Sequence, residues 1–288
     1  MKCAYLAAEG VHDVTFLGRL LTKQLGFAQV QDRPQLDARW TELLSNYSWP
    51  MKRRVSKQVI EDISRLSVPA PVFFQSSEWS LAISNAEGIS NLIARIQRDL
   101  EPLFRAQLSL DAIGVFLDSD AEPPMQRFAT LRRELQSKVT ELPSIPESVG
   151  LGDISPTTPQ VGVFSMPHPK ANGTLEDLLL DCAQHVYPSL LGEARQLVDR
   201  RSEFLTELNK NEREEICKPA GAKKAMVAVL GAFLKPGKPI SASLQDHRWV
   251  SEQTLLSPAL RPLLAFLTKL LEQPTPRPTY AQTPLQGT

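Results

Sequence analysis

Three apolar runs dominate the hydropathy pattern, and each stops at an acid or a turn. Cys3-Ala4-Tyr5-Leu6-Ala7-Ala8 ends at Glu9-Gly10. Ala112-Ile113-Gly114-Val115-Phe116-Leu117 ends at Asp118-Ser119-Asp120, and Val161–Met166 ends at a proline turn, Pro167–Gly173. Short continuous apolar runs bounded by turn residues read as strands buried on both faces. Between them the period changes to that of a helix. Leu17, Leu20, Leu21 and Leu25 predict a helix over about Asp13–Leu25 that ends at Gly26. Ile89, Leu92, Ile93, Ile96 and Leu100 predict one over Ile89–Phe104, and Pro123-Pro124 opens another over about Met125–Val139. Pro71–Ser76 and Trp79–Ser84 read as further strands, and Thr174–Val186 as a helix. Strands alternating with helices predict an α/β fold with a mostly parallel sheet flanked by helices.

Other stretches follow different patterns. Residues 31–70, with Trp40, Trp49 and the basic run Lys52-Arg53-Arg54, read as a mostly helical insertion. Leu142–Gln160 is a loop rich in Pro, Ser and Gly. From about Leu190 the pattern is helical and charged, and it closes with an apolar stripe (Leu260, Leu263, Leu264, Leu267, Leu270, Leu271) over Pro258–Glu272. The tail Gln273–Thr288 has four prolines and little to bury, which predicts disorder. The expected organisation is a catalytic α/β domain over 1–190, a helical region over 191–272, and the tail 273–288.

Composition narrows the function classes. The chain has 288 residues, 42% of them hydrophobic, enough for a substantial core. No run of about 18 apolar residues occurs, so no membrane helix is expected. The start carries no signal-peptide pattern, and the three scattered cysteines (Cys3, Cys182, Cys217) form neither a disulfide framework nor a zinc site. A cytoplasmic protein is the natural expectation. The 32 basic residues balance 32 acidic ones, which argues against a basic nucleic-acid coat protein and leaves room for an enzyme with an acidic site. A Gly-rich phosphate loop and a Gly-x-Ser-x-Gly elbow are both missing, and the four histidines (His12, His168, His185, His247) have no metal spacing.

The acids at the strand ends therefore carry the candidate chemistry. Open α/β sheets bind ligands beyond the carboxyl ends of their strands. Carboxylates gathered there repel one another unless a cation neutralises them, and oxygen-only donor sets suit Mg²⁺ or Mn²⁺. Glu9 stands on a tight turn, and Asp13 follows at the helix start. Each also has a local explanation, as a solvated loop acid and as a complement to the helix dipole. Asp118 and Asp120, at i and i+2 of a strand end, project to one side and could share an ion; with Ser119 they also fit an Asx-turn. Glu122 lies close by in sequence. Thr174-Leu175-Glu176-Asp177 fits a capping box in which Asp177 is the capping acid, leaving Glu176 to face the site. Lys223-Lys224 precedes an apolar helix and offers a cation for phosphate charge, or a solvated surface pair. The run Lys52-Arg53-Arg54 could meet a phosphate backbone or form an ordinary charged face.

Glu9-Gly10-Val11-His12-Asp13 followed by Asp118-Ser119-Asp120 resembles the motif pair of the TOPRIM domain. That domain is shared by topoisomerases, bacterial primases, recombination mediators and the overcoming-lysogenization-defect (OLD) nucleases. The third segment, Val161–Pro167 with Gly173–Leu179, is similar to the OLD-like and stand-alone bacterial branch. The resemblance covers about residues 1–190 and implies a TOPRIM-like (Rossmann-like) sheet. It also implies that Glu9 acts in acid–base chemistry or metal binding, that Asp118 and Asp120 bind Mg²⁺, and that Asp13 and Glu176 complete a two-ion site. A basic residue beyond the core contributes in that branch, for which Lys223 and Lys224 are the candidates here. The expected activity is metal-dependent hydrolysis of DNA or RNA phosphodiesters, in phage defence or DNA repair. Two ions roughly 4 Å apart would serve it. The 109-residue spacing from Glu9 to Asp118 exceeds what a compact TOPRIM core needs, so the insertion must be accommodated. OLD proteins carry an ATPase that this sequence lacks, so a separate ATPase partner is one expectation; a homo-oligomer is another. Two alternatives stay open: a regulatory module that binds metal and nucleic acid without cleaving, and a primase-like nucleotidyl transferase.

Overall fold

The computed structural model describes residues 1–47, 51–54, 60–63 and 71–272, with backbone alone for 46, 51–54 and 60–63. The tail from Gln273 and the side chains of Lys52-Arg53-Arg54 lie outside what is described. Among the described residues eight strands occur: β1 (Lys2–Ala8), β2 (Ala28–Val30), β3 (Met51–Arg54), β4 (Ile60–Ile63), β5 (Val72–Gln75), β6 (Trp79–Asn85), β7 (Ala112–Asp118) and β8 (Gln160–Met166). Six of them form one sheet in the order β2-β5-β6-β1-β7-β8. Its centre, β6-β1-β7-β8, is parallel throughout; β5 and β2 add an antiparallel edge. The α/β class and the mostly parallel sheet flanked by helices agree with the sequence.

Burial on both faces explains why the strands read as unbroken apolar runs. Along β1, Ala4, Leu6 and Ala8 enter one core, while Cys3, Tyr5 and Ala7 enter the other. The first core is roofed by α1 (Val11–Gln24), whose Phe16, Leu17, Leu20 and Leu21 are fully buried. The second lies beneath α2 (Ala38–Leu43), α3 (Ile89–Arg105) and α4 (Pro124–Lys138). The C-terminal helices follow in turn, α5 (Leu175–Val186), α6 (Pro188–Asp199), α7 (Arg201–Phe204), α8 (Lys210–Cys217), α9 (Gly221–Leu234), α10 (Ile240–Asp246), α11 (Glu252–Leu255) and α12 (Arg261–Leu271), and all but α7 and α8 add side chains to the first core. Of these, α5, α6, α9 and α12 supply most of the buried side chains. The apolar stripe of α12 lies on a floor made by Gly114 and Gly162, which face each other across β7 and β8. A Cβ at Gly114 would come within 2.8 Å of Leu270, and one at Gly162 within 2.8 Å of Phe266. The missing side chains are what let the helix settle so closely.

Two details differ from the sequence reading. Among the described residues of the insertion, the strands β3 and β4 pair antiparallel alongside the helical α2. Their backbone register pairs Lys52 with Asp62 and Arg53 with Glu61. The edge strand β2 is only three residues long, too short to leave a period-2 signal.

Candidate functional site

Glu9 and Asp118 meet because β1 and β7 are parallel neighbours, Ala8 pairing with Phe116. Their carboxyl ends emerge on the same sheet edge. There the Glu9 carboxylate accepts a 2.9 Å hydrogen bond from the Asp118 N–H. Gly10 then caps α1, its N–H donating to Asp13 Oδ2 at 2.8 Å. Asp13 is thus a capping acid and also a buried one, 8% exposed. On the other flank, the turn before α3 closes on the site through the Gly88 N–H, which donates to the Glu9 carbonyl at 2.8 Å.

The connection from β8 to α5 supplies the remaining wall. Ser119, fully buried, accepts from the Gly173 N–H at 2.9 Å, while the Gly173 carbonyl accepts from the Ser119 and Asp120 amides. This clamp seats the start of α5 against the end of β7, where the Leu175 N–H donates to Asp118 Oδ1 at 2.9 Å. Asp177 accepts from the Thr174 N–H at 3.0 Å and so fills the capping role. Glu176 turns inward instead. It is 8% exposed, and its Oε2 is buried without a hydrogen-bond partner.

The electrostatics follow from that crowding. Burial, then the charges of Asp13, Glu9 and Glu176, push Asp118 up to about 9. Burial first and Glu9 next push Asp13 up to about 7. Glu9 also rises to about 7, burial outweighing the Asp118 N–H and the Arg127 guanidinium, which pull it down. Burial holds His12 below its ordinary value. Three carboxyls that keep protons near neutral pH, beside a fourth with an unpartnered oxygen, fit a missing positive charge. The donors are all hard oxygens, the chemistry of Mg²⁺ or Mn²⁺. Among the described residues, no three acid, histidine or cysteine side chains already converge at metal-ligand spacing. The acids share a pocket without sharing one point.

A family model described as a protein of unknown function, DUF3226, matches residues 4–272. The chain belongs to that family. The match runs through every acid above and through α12. A crystal structure of a hypothetical protein from Pyrococcus horikoshii OT3 is similar at 17% identity and a TM-score of 0.48, covering 94% of this chain and 95% of that one. No curated protein matches the chain.

Of the residues singled out from this DUF3226 sequence, Glu9, Asp13, Asp118, Glu176 and Lys224 line one pocket of about 400 Å³, with His12 beside them. Asp120 does not line it. The strand ends at Asp118, and Asp120 turns into the left-handed region at φ 49°, so the i, i+2 projection is lost. Its carboxylate pairs with Arg127 at 3.2 Å and is half exposed. Lys223 is also diverted, onto Asp177 at 2.6 Å. His168 stays in its turn, its Nδ1 accepting from the Lys170 N–H at 3.0 Å. Sequence reasoning missed Arg127, which lies 3.2 Å from both Asp120 and Glu122 and 4.0 Å from Glu9. Its only signal was a cation one turn into the helix that follows the acidic strand end.

Proposed function

We propose that this protein is a metal-dependent phosphodiester hydrolase of TOPRIM type acting on DNA or RNA. The gathering of Glu9, Asp13, Asp118 and Glu176 in one pocket at the carboxyl edge of parallel strands carries the reading. Asp118, Asp13 and Glu176 would hold Mg²⁺ or Mn²⁺, and the set is large enough for two ions. A bound ion would polarise a phosphoryl oxygen and lower the pKa of a bound water. Glu9 titrates near neutrality, which suits a group that takes or gives a proton at the reacting oxygen. Arg127 orients Glu9 from behind, together with the Asp118 N–H. Lys224, exposed at the pocket's rim, offers a mobile cation to the scissile phosphate. Asp120 belongs to this proposal as an outer acid working through Arg127.

No helix among the described residues is long and apolar enough to cross a membrane. Free thiols at Cys3, Cys182 and Cys217 favour a reducing compartment, so we assign the protein to the cytoplasm. A role in phage defence or repair, and a separate ATPase partner, belong to the same proposal by family likeness. One observation favours a second reading. With Lys223 committed to Asp177, the pocket has a single lysine at its rim, which suits a module that binds metal and nucleic acid without cleaving.

Cleavage assays separate the two. Plasmid, single-stranded DNA and tRNA are incubated with Mg²⁺, with Mn²⁺ and with chelator. Metal-dependent cleavage that Asp118→Asn and Glu9→Gln abolish supports the hydrolase. Metal-dependent binding with intact substrate under every condition supports the module, and primer synthesis from nucleotides would instead mark a transferase.

A further inference from the structure

A second cavity, of about 740 Å³, opens where the last turns of α1 face the segment from α10 to α11. Arg19 and Lys23 of α1 line it, with His247 and Arg248 from the facing loop. Three polar atoms of its lining residues are buried without hydrogen-bond partners: Arg19 Nε, His247 Nδ1 and Ser251 Oγ. Among the described residues no carboxylate pairs with Arg19, and burial alone acts on it, pulling its pKa down. A guanidinium nitrogen shut away from water without an acceptor is costly and rare in a native fold. Arg248 is held in place: its Nη2 donates to the Val186 carbonyl at 3.3 Å, and its guanidinium lies 5.2 Å over the Tyr187 ring. Of the two acids in the lining, Asp246 is ion-paired with Lys235, and Glu252 is exposed in the first turn of α11. The negative end of the α1 dipole explains an exposed Lys23. It does not explain a half-buried arginine with an empty donor.

We propose that this cavity is a phosphate-binding site, taking a phosphoryl group from a free nucleotide or from a nucleic-acid strand. The planar fork of Arg19 matches phosphate geometry, and Lys23 and Arg248 add charge in the same lining. A third cavity, of about 360 Å³, shares Val11 with the acid pocket and Arg19 with this one. Lined spaces therefore follow α1 from one site to the other. Asp13 and Arg19 are about 9 Å apart along the helix axis, at 1.5 Å per residue. A strand could reach both sites, and a nucleotide would need only the second. Neither case requires that the acid pocket cleave anything.

Calorimetric titration of the full chain with inorganic pyrophosphate, in chelator at about 50 mM salt, tests the site apart from any metal. Saturable binding is expected, weakened about tenfold (about 1.4 kcal/mol) by Arg19→Gln and by the exposed-site variant Lys23→Glu, and unchanged by Asp118→Asn. No saturable binding, or equal affinity in wild type and both variants, would overturn the proposal. Loss in Arg19→Gln alone, accompanied by a lowered melting temperature, would count as misfolding and also overturn it, because Lys23→Glu must report the same site. A labelled oligothymidylate then identifies the source. Parallel weakening in both variants with competition by pyrophosphate assigns a nucleic-acid strand; unchanged oligonucleotide binding assigns a free phosphate compound.

Discussion

Asp99 and Asp118 are both buried carboxylates in contact with the same sheet, and they have opposite surroundings. Asp99, on the buried face of α3, is fully buried and surrounded by donors. Tyr5 and Tyr47 hydroxyls reach it at 3.0 and 2.8 Å, Ser84 at 2.5 Å, and Arg95 Nε at 3.1 Å. Its charge is matched by protein groups, and the network ties the insertion to the central strands. Asp118 has the Leu175 N–H on one oxygen and three other acids around it. Burial is the same in kind; what differs is the sign of the neighbours. A carboxylate met by donors stabilises a fold, whereas one met by other carboxylates leaves a charge for something else to supply.

The comparison can be broken in several ways, the largest first. Asp118→Asn should lower metal-dependent hydrolysis at least about a thousandfold, near 4 kcal/mol of transition-state stabilisation; single-turnover cleavage at saturating Mg²⁺ measures it, and activity within tenfold of wild type would sink the assignment. Asp99→Ala should cost about 3 kcal/mol, since it removes the shared acceptor of three hydroxyls and the ion pair with Arg95. Urea denaturation reads that loss, and a change below about 1 kcal/mol would mean the network is ornamental. In chelator near pH 7, Asp118→Asn should have the opposite sign and stabilise by about 1–2 kcal/mol, because it removes a carboxyl that the fold keeps protonated and the unfolded chain ionises. If both substitutions destabilise equally, the distinction between the two carboxylates fails.

A fourth test uses pH. Glu9, Asp13 and Asp118 keep protons that the unfolded chain releases near pH 4, since their folded values are raised to about 7, 7 and 9. The native state therefore binds more protons than the unfolded one across that window, and metal-free stability should fall as pH rises from about 4 to 9. Mg²⁺ should raise the melting temperature more at pH 8 than at pH 5, because it competes with those protons. An equal Mg²⁺ shift at both values would show that the ion binds elsewhere. The smallest effect separates the adjacent lysines. Lys223→Ala should cost under about 1 kcal/mol, as a part-exposed pair on Asp177, and leave cleavage within a factor of about three, whereas Lys224→Ala should slow it at least about tenfold.

Much of this was legible in the chain. Runs such as Ala112–Leu117 announced strands buried on both faces, because no solvent-facing position interrupts them. The helices around Leu17, Ile93 and Leu267 announced themselves by period. Glu9 and Asp118 were readable as strand-end acids, since parallel neighbours must present their carboxyl ends together. Asp120 was not, because a single residue turning to positive φ ends the strand's alternation and no local residue signals it. Lys223 and Arg127 were hidden for another reason. Their roles depend on Asp177 across 46 positions and on Glu9 across 118, contacts that only the assembled sheet creates.

The glycine floor beneath α12 has a consequence for the order in which the molecule is made. Gly162 leaves the ribosome roughly a hundred residues before Leu270, about 5–20 s of synthesis. During that interval Gly114 and Gly162 lack the cover that Leu270 and Phe266 supply. The acid edge of the newborn sheet can form before α12 arrives, so closure of this part of the core waits for the last of the described helices.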